Sequence, residues 1–265
     1  MPNIAKTLKE ERGYHTHYLY GGDINFTNMK SYLIAGGFES LTAKDDFSAE
    51  EQKSSEWGVN DGITFKTLYQ MATTQEEPYL IGFSTLSSHA PWDVPIHHFD
   101  DEILNAFYYL DQCIGQFIQQ LRQSAVWDNT LVVMLPDHGI PYKDIDETNP
   151  LLNHIPMIWI GGAVKNPQMI TQVCNQTDLP ATLLGQLGLA HDEYTFSRDV
   201  LSSTYQHPFA VNTYSDGFNV IDSTSFINYD LISDRVVATQ GEDHERLLRQ
   251  GRAVLQAASK DLEKR

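Results

Sequence analysis

The chain has 265 residues, 41% of them hydrophobic and 11% aromatic, which suffices for a sizeable core and excludes a disordered polymer. Its 18 Lys and Arg stand against 35 Asp and Glu, and the resulting net charge of −17 argues against nucleic-acid partners, which demand clustered cations. No apolar run approaches the ~20 residues that span a bilayer, and Met1-Pro2-Asn3 opens without the apolar region of a signal peptide, so the chain as it stands is expected to be soluble.

Ile4 to Glu11 reads as a short helix stopped by Gly13, and Tyr14 to Tyr20 as a strand ending at Gly21-Gly22. Asn28 to Ala35 reads as a helix closed by Gly36-Gly37, Lys44 to Glu56 as a polar surface loop, and Gly62 to Ala72 as a further helix. Tyr79 to Thr85 is a short apolar run with a polar exit, the pattern of a buried strand. The clearest helix runs from Asp100 to Gln123, with Ile103, Phe107, Leu110, Ile114, Phe117 and Leu121 on one face and Asp100 or Asp101 as cap. Asn129 to Leu135 and Ile155 to Ile160 read as two more buried strands. Apolar strands separated by helices predict an α/β fold, a mainly parallel sheet sandwiched by helices.

Leu179 to Leu187 reads as a helix capped by Thr177 or Asp178, with Pro180 in its first turn and Gly188 at its end. The character then changes. Between Pro208 and Thr239 short alternating strands surround turn residues, and Asp216-Gly217 signals a hairpin. A charged helix from Glu242 to Leu262 closes the chain. The expected organisation is one α/β domain over residues 1–205, with residues 206–265 as a small antiparallel annex and terminal helix packed on it. There are no internal repeats. Cys113 and Cys174 lie far apart and match no metal spacing; Cys113, inside an apolar helical pattern, reads as a buried inert thiol.

Chemistry gathers at two strand ends. The strand Asn129 to Leu135 runs into Pro136-Asp137-His138-Gly139, and ligands of open α/β sheets bind beyond the carboxyl ends of strands. Asp137 and His138 side by side can reach one cation through oxygen and imidazole nitrogen; a turn or cap is the plainer reading of the same tripeptide. The strand Tyr79 to Thr85 leads to His89, on the same expected edge of the sheet as Asp137. Its imidazole can donate to an anionic ester oxygen, or simply be satisfied by neighbouring backbone. His97 and His98 read as solvated loop residues.

Several ordered stretches resemble the sulfatase branch of the alkaline phosphatase superfamily, and within it the lipoteichoic acid synthase or phosphoglycerol transferase group. They are Gly13-Tyr14-His15-Thr16 leading to Tyr20-Gly21-Gly22-Asp23, then Trp57-Gly58-Val59-Asn60-Asp61, Phe83 to Trp92, and Asp128-Asn129-Thr130-Leu131 leading to Asp137-His138-Gly139. His154-Ile155-Pro156-Met157 and the run from Gln176 to Leu184 follow, so the resemblance spans roughly residues 3 to 200. It implies an alkaline-phosphatase-like fold, with Asp137 and His138 as ligands of a divalent cation (Mn, Mg or Ca). It implies that His89 contacts phosphoryl or sulfuryl oxygens, and that Asp23 and Asn28 lie in a substrate-contacting stretch. Related transferases carry His, Trp and Arg in that stretch; here Tyr20, Thr27 and Met29 stand at the matching positions, a departure that weakens any claim on the same glycerophosphate substrate. His154 is implied as a residue at the site's edge.

The same resemblance places an acidic metal ligand and a Thr, Ser or modified Cys nucleophile ahead of the Gly13-Tyr14-His15-Thr16 segment. No catalytic residue is therefore assigned within this chain, which is expected to bind the cation weakly and to lack turnover. The implied partner is a sulfate or phosphate ester, including a lipid or glycan headgroup, with self-association through an uncovered sheet. The implied location of the parent enzyme is the extracytoplasmic membrane face or the periplasm. The alternative is a non-catalytic sulfatase-fold protein that binds an anionic lipid or glycan.

Overall fold

The structure, a computed structural model, describes residues 2–146 and 149–264. The chain divides into two compact units: Met1–Leu131 with Gly161–Lys165, and Val132–Ile160 with Asn166–Arg265. Among the described residues no helix is long and apolar enough to cross a membrane.

The first unit is built on a three-stranded parallel sheet ordered β2-β1-β3. Its strands are β1 (His15–Tyr20), β2 (Ser40–Thr42) and β3 (Tyr79–Ser84), and helices α1 (Ile4–Arg12), α2 (Met29–Ala35), α3 (Asp61–Thr74) and α4 (Glu102–Arg122) connect or flank them. Asn3 starts α1 by accepting from the Ala5 N–H at 2.9 Å, and Asp101 starts α4 by accepting from Ile103 and Leu104 at 2.9 and 3.2 Å. The central β1 holds the fully buried Leu19. Phe65 of α3 meets Phe83 of β3 at 4.9 Å and Phe117 of α4 at 5.7 Å between ring centroids, tying two helices to the sheet. β3 pairs only with β1 among the described residues, and all six of its residues are half-buried.

The apolar face of α4 is rotated from its expected position. Cys113, Phe117 and Leu121 are buried as the periodicity predicts, but Phe107 is 44% exposed while Asn105 and Ala106 are buried. The reason is polar. Asn105 accepts from the His98 and Phe99 N–H groups at 2.7 and 2.8 Å and donates to the Phe99 carbonyl at 2.8 Å, closing the incoming loop onto the helix. Burial pushes the Cys113 thiol up to about 11, in keeping with an inert side chain.

In the second unit, β4 (Val132–Met134) and β5 (Ile158–Ile160) form a two-stranded antiparallel pair, where the apolar runs had predicted parallel strands. An all-apolar strand buries both faces in either direction, so periodicity carries no orientation. Helix α5 (Leu179–Gln186) precedes the antiparallel sheet β6-β7-β8-β9 and helix α6 (His244–Glu263). β6 (Phe209–Tyr214) and β7 (Gly217–Asp222) join through a two-residue turn, Ser215-Asp216, because Tyr214 pairs with Gly217. β8 (Phe226–Asp230), unrecognised in the sequence, is followed by β9 (Arg235–Gln240). α6 lays Leu247 against Phe218, Val220, Ile227 and Tyr229, all of them buried.

Candidate functional site

In the first unit, the loop after β1 places Asp23 and Asn28 at the surface. Asp23 Oδ1 accepts from the Asn25 backbone and side-chain N–H groups at 2.9 and 3.1 Å, a local turn that leaves its second oxygen to solvent. Asn28 takes the left-handed conformation (φ 63°) ahead of α2, which Asn tolerates better than most residues. Its side chain makes no capping hydrogen bond.

The loop after β3 is built differently. Asp61, at the first turn of α3, is 1% exposed. Its two oxygens accept from the Leu86 and Ser87 N–H groups at 3.0 and 2.9 Å. Burial raises its pKa above the ordinary carboxylate value, and the two N–H donors pull in the opposite direction. Removing the carboxylate would strand two buried donors at about 1–3 kcal/mol each. Beyond this clamp, His89 is exposed and its Nδ1 lies 2.6 Å from the Ala90 carbonyl. A carbonyl only accepts, so Nδ1 carries the proton and Nε2 faces outward. Trp57 also donates its Nε1–H to the Ala90 carbonyl, at 2.7 Å, and its ring meets His89 edge-on at 5.5 Å.

In the second unit, Asp137 and His138 follow β4. Their side chains are 91% and 61% exposed, with His138 Nε2 3.7 Å from Asp137 Oδ2. His138 repeats the arrangement of His89: Nδ1–H donates to the next carbonyl, Gly139, at 2.8 Å, which leaves Nε2 as the unprotonated nitrogen beside Asp137. Gly139 is required by close approach, since a Cβ there would sit 1.6 Å from the Leu152 carbonyl oxygen. From behind, the Gln176 amide donates to the Pro136 and Asp137 carbonyls at 2.5 and 2.9 Å. Gln176 sits on a short 3-10 turn held by Asp178, which is 2% exposed. Asp178 accepts from the Asn175 and Arg198 N–H groups and pairs with the Arg198 guanidinium through both oxygens at 3.0 and 2.7 Å.

Asp137 and His138 offer one oxygen donor set and one imidazole nitrogen. Among the described residues no third His, Cys, Asp or Glu groups with them. Hard cations take about six oxygen-rich ligands, so the pair fits one corner of a cation site and does not make a complete one. His154 is exposed at the end of a 3-10 turn, with its N–H on the Leu151 carbonyl at 3.1 Å. His97 borders a cavity of about 270 Å³ with Glu56, Trp92, Asp93 and Glu102, and His98 stacks on Tyr108 at 4.9 Å. The two strand ends belong to different units, and each stands by its own geometry. Sequence reasoning left Trp57, Asp61 and Gln176 without roles, although all three lie in stretches it had singled out.

The Sulfatase family model matches residues 1–189 of the chain. Over 232 residues the chain is 25% identical to lipoteichoic acid synthase 2 of Bacillus subtilis (strain 168), covering 78% of this chain and 35% of that protein. Over 217 residues it is 25% identical to phosphoglycerol transferase I of Xanthomonas axonopodis pv. citri (strain 306), covering 73% of this chain and 30% of that protein. The crystal structure of an alkaline phosphatase superfamily protein from Vibrio parahaemolyticus superposes with a TM-score of 0.80 at 24% identity, covering 98% of this chain and 68% of that one. The chain thus spans about a third of the curated relatives it matches, and its fold is alkaline-phosphatase-like.

Proposed function

The chain belongs to the sulfatase family, and from that premise we propose that it acts in phosphoryl- or sulfuryl-ester chemistry, as a hydrolase or a phosphoglycerol-type transferase. Because the relatives are much longer than the matched segment, the activity and substrate of the whole protein are part of this proposal. The observation that carries it is the family match over residues 1–189, which takes in Asp23, Asn28, His89, Asp137 and His138 together. Asp137 and His138 contribute two donors to a divalent cation, Mn, Mg or Ca. His89, Asp23 and Asn28 contact the ester. By the same likeness the work is extracytoplasmic.

The geometry of the histidines supports the assignment. With Nδ1–H on the Ala90 carbonyl, neutral His89 shows only a lone pair at Nε2; protonation adds an outward N–H suited to an anionic oxygen. Binding of methyl sulfate or dimethyl phosphate, followed through the His89 ring resonances, should be weakened or lost in His89→Gln. Mn²⁺ should bind weakly and release on Asp137→Asn with little change in folding stability, because the side chain is 91% exposed. Anion binding indifferent to His89, together with Mn²⁺ binding indifferent to Asp137, would overturn the reading.

A second reading is a non-catalytic binder of an anionic lipid or glycan headgroup. It is favoured by the grouping of only two ligand side chains among the described residues. Metal-dependent turnover of p-nitrophenyl sulfate or a p-nitrophenyl phosphodiester by the chain would exclude it.

A further inference from the structure

The stretch Glu56 to Asp61 lies beside the stretch Leu86 to Asp93 and is tied to it on both sides of His89. Before His89, Asp61 holds the Leu86 and Ser87 N–H groups. After it, the Trp57 indole donates to the Ala90 carbonyl, and the Glu56 N–H donates to Asp93 Oδ2 at 2.9 Å. Ala90 is the shared point. One carbonyl accepts both the indole N–H at 2.7 Å and the His89 Nδ1–H at 2.6 Å, so the placement of one ring constrains the other.

The same stretch grips the loop after β1. The Val59 N–H donates to the Gly21 carbonyl at 2.9 Å. Gly58 has φ 147°, and a Cβ there would meet the Gly21 oxygen at 2.3 Å, so only glycine allows the approach. Phe26, beyond Asp23, sets its ring edge-on to Trp57 at 6.0 Å. At its far end the stretch is secured by Tyr109, whose hydroxyl donates to Asn60 Oδ1 at 3.0 Å and accepts from the Gly62 N–H at 3.0 Å.

We propose that Trp57-Gly58-Val59-Asn60-Asp61 is a brace that fixes the Asp23 loop and the His89 loop against each other, with Trp57 and Asp61 as positioning residues for the His89 imidazole. The inference rests on reading His89 as the contact to an anionic ester oxygen. Asp61 is buried and Trp57 is engaged with Ala90, so both act through His89 and not on the ester itself. The two loops come from strands β1 and β3, which are parallel neighbours; the sheet brings them close, and the brace sets their fine geometry.

The test compares wild type, Trp57→Phe, Asp61→Asn and the control Trp127→Phe in the full chain. Trp57→Phe keeps an aromatic ring but removes the indole N–H. Asp61→Asn keeps size but turns one acceptor into a donor facing an N–H. Three quantities are read: the His89 ring nitrogen shifts, amide exchange at Leu86 and Ser87, and methyl sulfate affinity. Trp57→Phe should shift the His89 ring nitrogens and weaken the anion roughly 3- to 10-fold, as expected for one lost orienting hydrogen bond. Asp61→Asn should speed exchange at Leu86 and Ser87 and weaken the anion at least as much, while Trp127→Phe leaves all three quantities in place. His89 shifts and Leu86/Ser87 exchange unchanged in both folded variants would overturn the brace. If those two respond while wild type binds no anion at His89, the brace stands and the substrate reading falls instead.

Discussion

The loop after β3 and the loop after β4 each present a histidine whose Nδ1–H is bound to the next residue's carbonyl, yet they are secured in opposite ways. The backbone on either side of His89 is tied to residues far back in the chain, including a buried carboxylate that holds two N–H groups. The Asp137-His138 corner is exposed, is turned by a glycine against a carbonyl, and is backed by one side-chain amide. Under the proposed roles, a histidine that recognises an anion by a directed hydrogen bond gains from a rigid mount, whereas cation ligands are drawn into place by the ion and tolerate looser support.

This contrast can be broken in two places, and a third test probes an ion pair outside both loops. The largest effect is expected at Asp178, whose ion pair with Arg198 secures the turn that carries Gln176. Asp178→Ala leaves a half-buried guanidinium and two backbone N–H groups without their acceptor, and should cost about 3–5 kcal/mol in urea unfolding. A loss below about 1 kcal/mol would mean that the corner's backing does not depend on this pair.

Gln176→Ala should cost less, about 1 kcal/mol, because it removes two hydrogen bonds to half-buried or exposed carbonyls that water can replace. Amide exchange at His138 should accelerate while Leu86 and Ser87 stay protected. Equal acceleration at both loops would erase the distinction between them.

The third effect is read as a dependence on pH. Burial of Asp222 works against its ionisation, but the Arg246 guanidinium and the Thr224 and Ser225 N–H groups outweigh it and bring its pKa down to about 2. A lowered carboxylate pKa contributes stability above the unfolded value, 3.8, and loses it as pH falls through about 2. Asp61 has the opposite sign. Its raised pKa means that its contribution is full below 3.8 and declines as pH rises through the folded value. Asp222→Asn should therefore flatten the acid limb of the stability curve between about pH 4 and pH 2. An unchanged limb would mean that the Arg246 pair does not hold in solution.

Much of the candidate site was legible as chemistry. Apolar runs ending in Asp137-His138 and leading to His89 placed those residues just past strands, where the structure has them. The strand and helix identities of β1, β3, α3, α4 and α5 followed from apolar pattern and turn residues; the Asp101 cap of α4 formed as read, whereas Asp178 makes no side-chain cap of α5 and is engaged with Arg198. β2, only three residues long, and β8 went unrecognised, because runs of such length or polarity carry little periodic signal. The orientation of β5 was unreadable for the reason already given, that a strand apolar on both faces has no direction in its pattern. Trp57 and Asp61 were visible as a motif without a purpose: their partners lie 25 to 33 residues away, beyond any local rule.

By itself the sequence determined the class of the fold and the kinds of groups available: an acidic chain, a Trp-Gly-Val-Asn-Asp stretch, and histidines after strands. Only the tertiary structure decided what those groups do to one another. Parallel pairing of β1 with β3 brings two loops into reach, and a buried carboxylate there finds two N–H donors that no sequence spacing announces. Local pattern reports which face of an element is buried, since burial repeats with the backbone's own period. Hydrogen bonds between distant loops have no period, and they exist only once the sheet has formed.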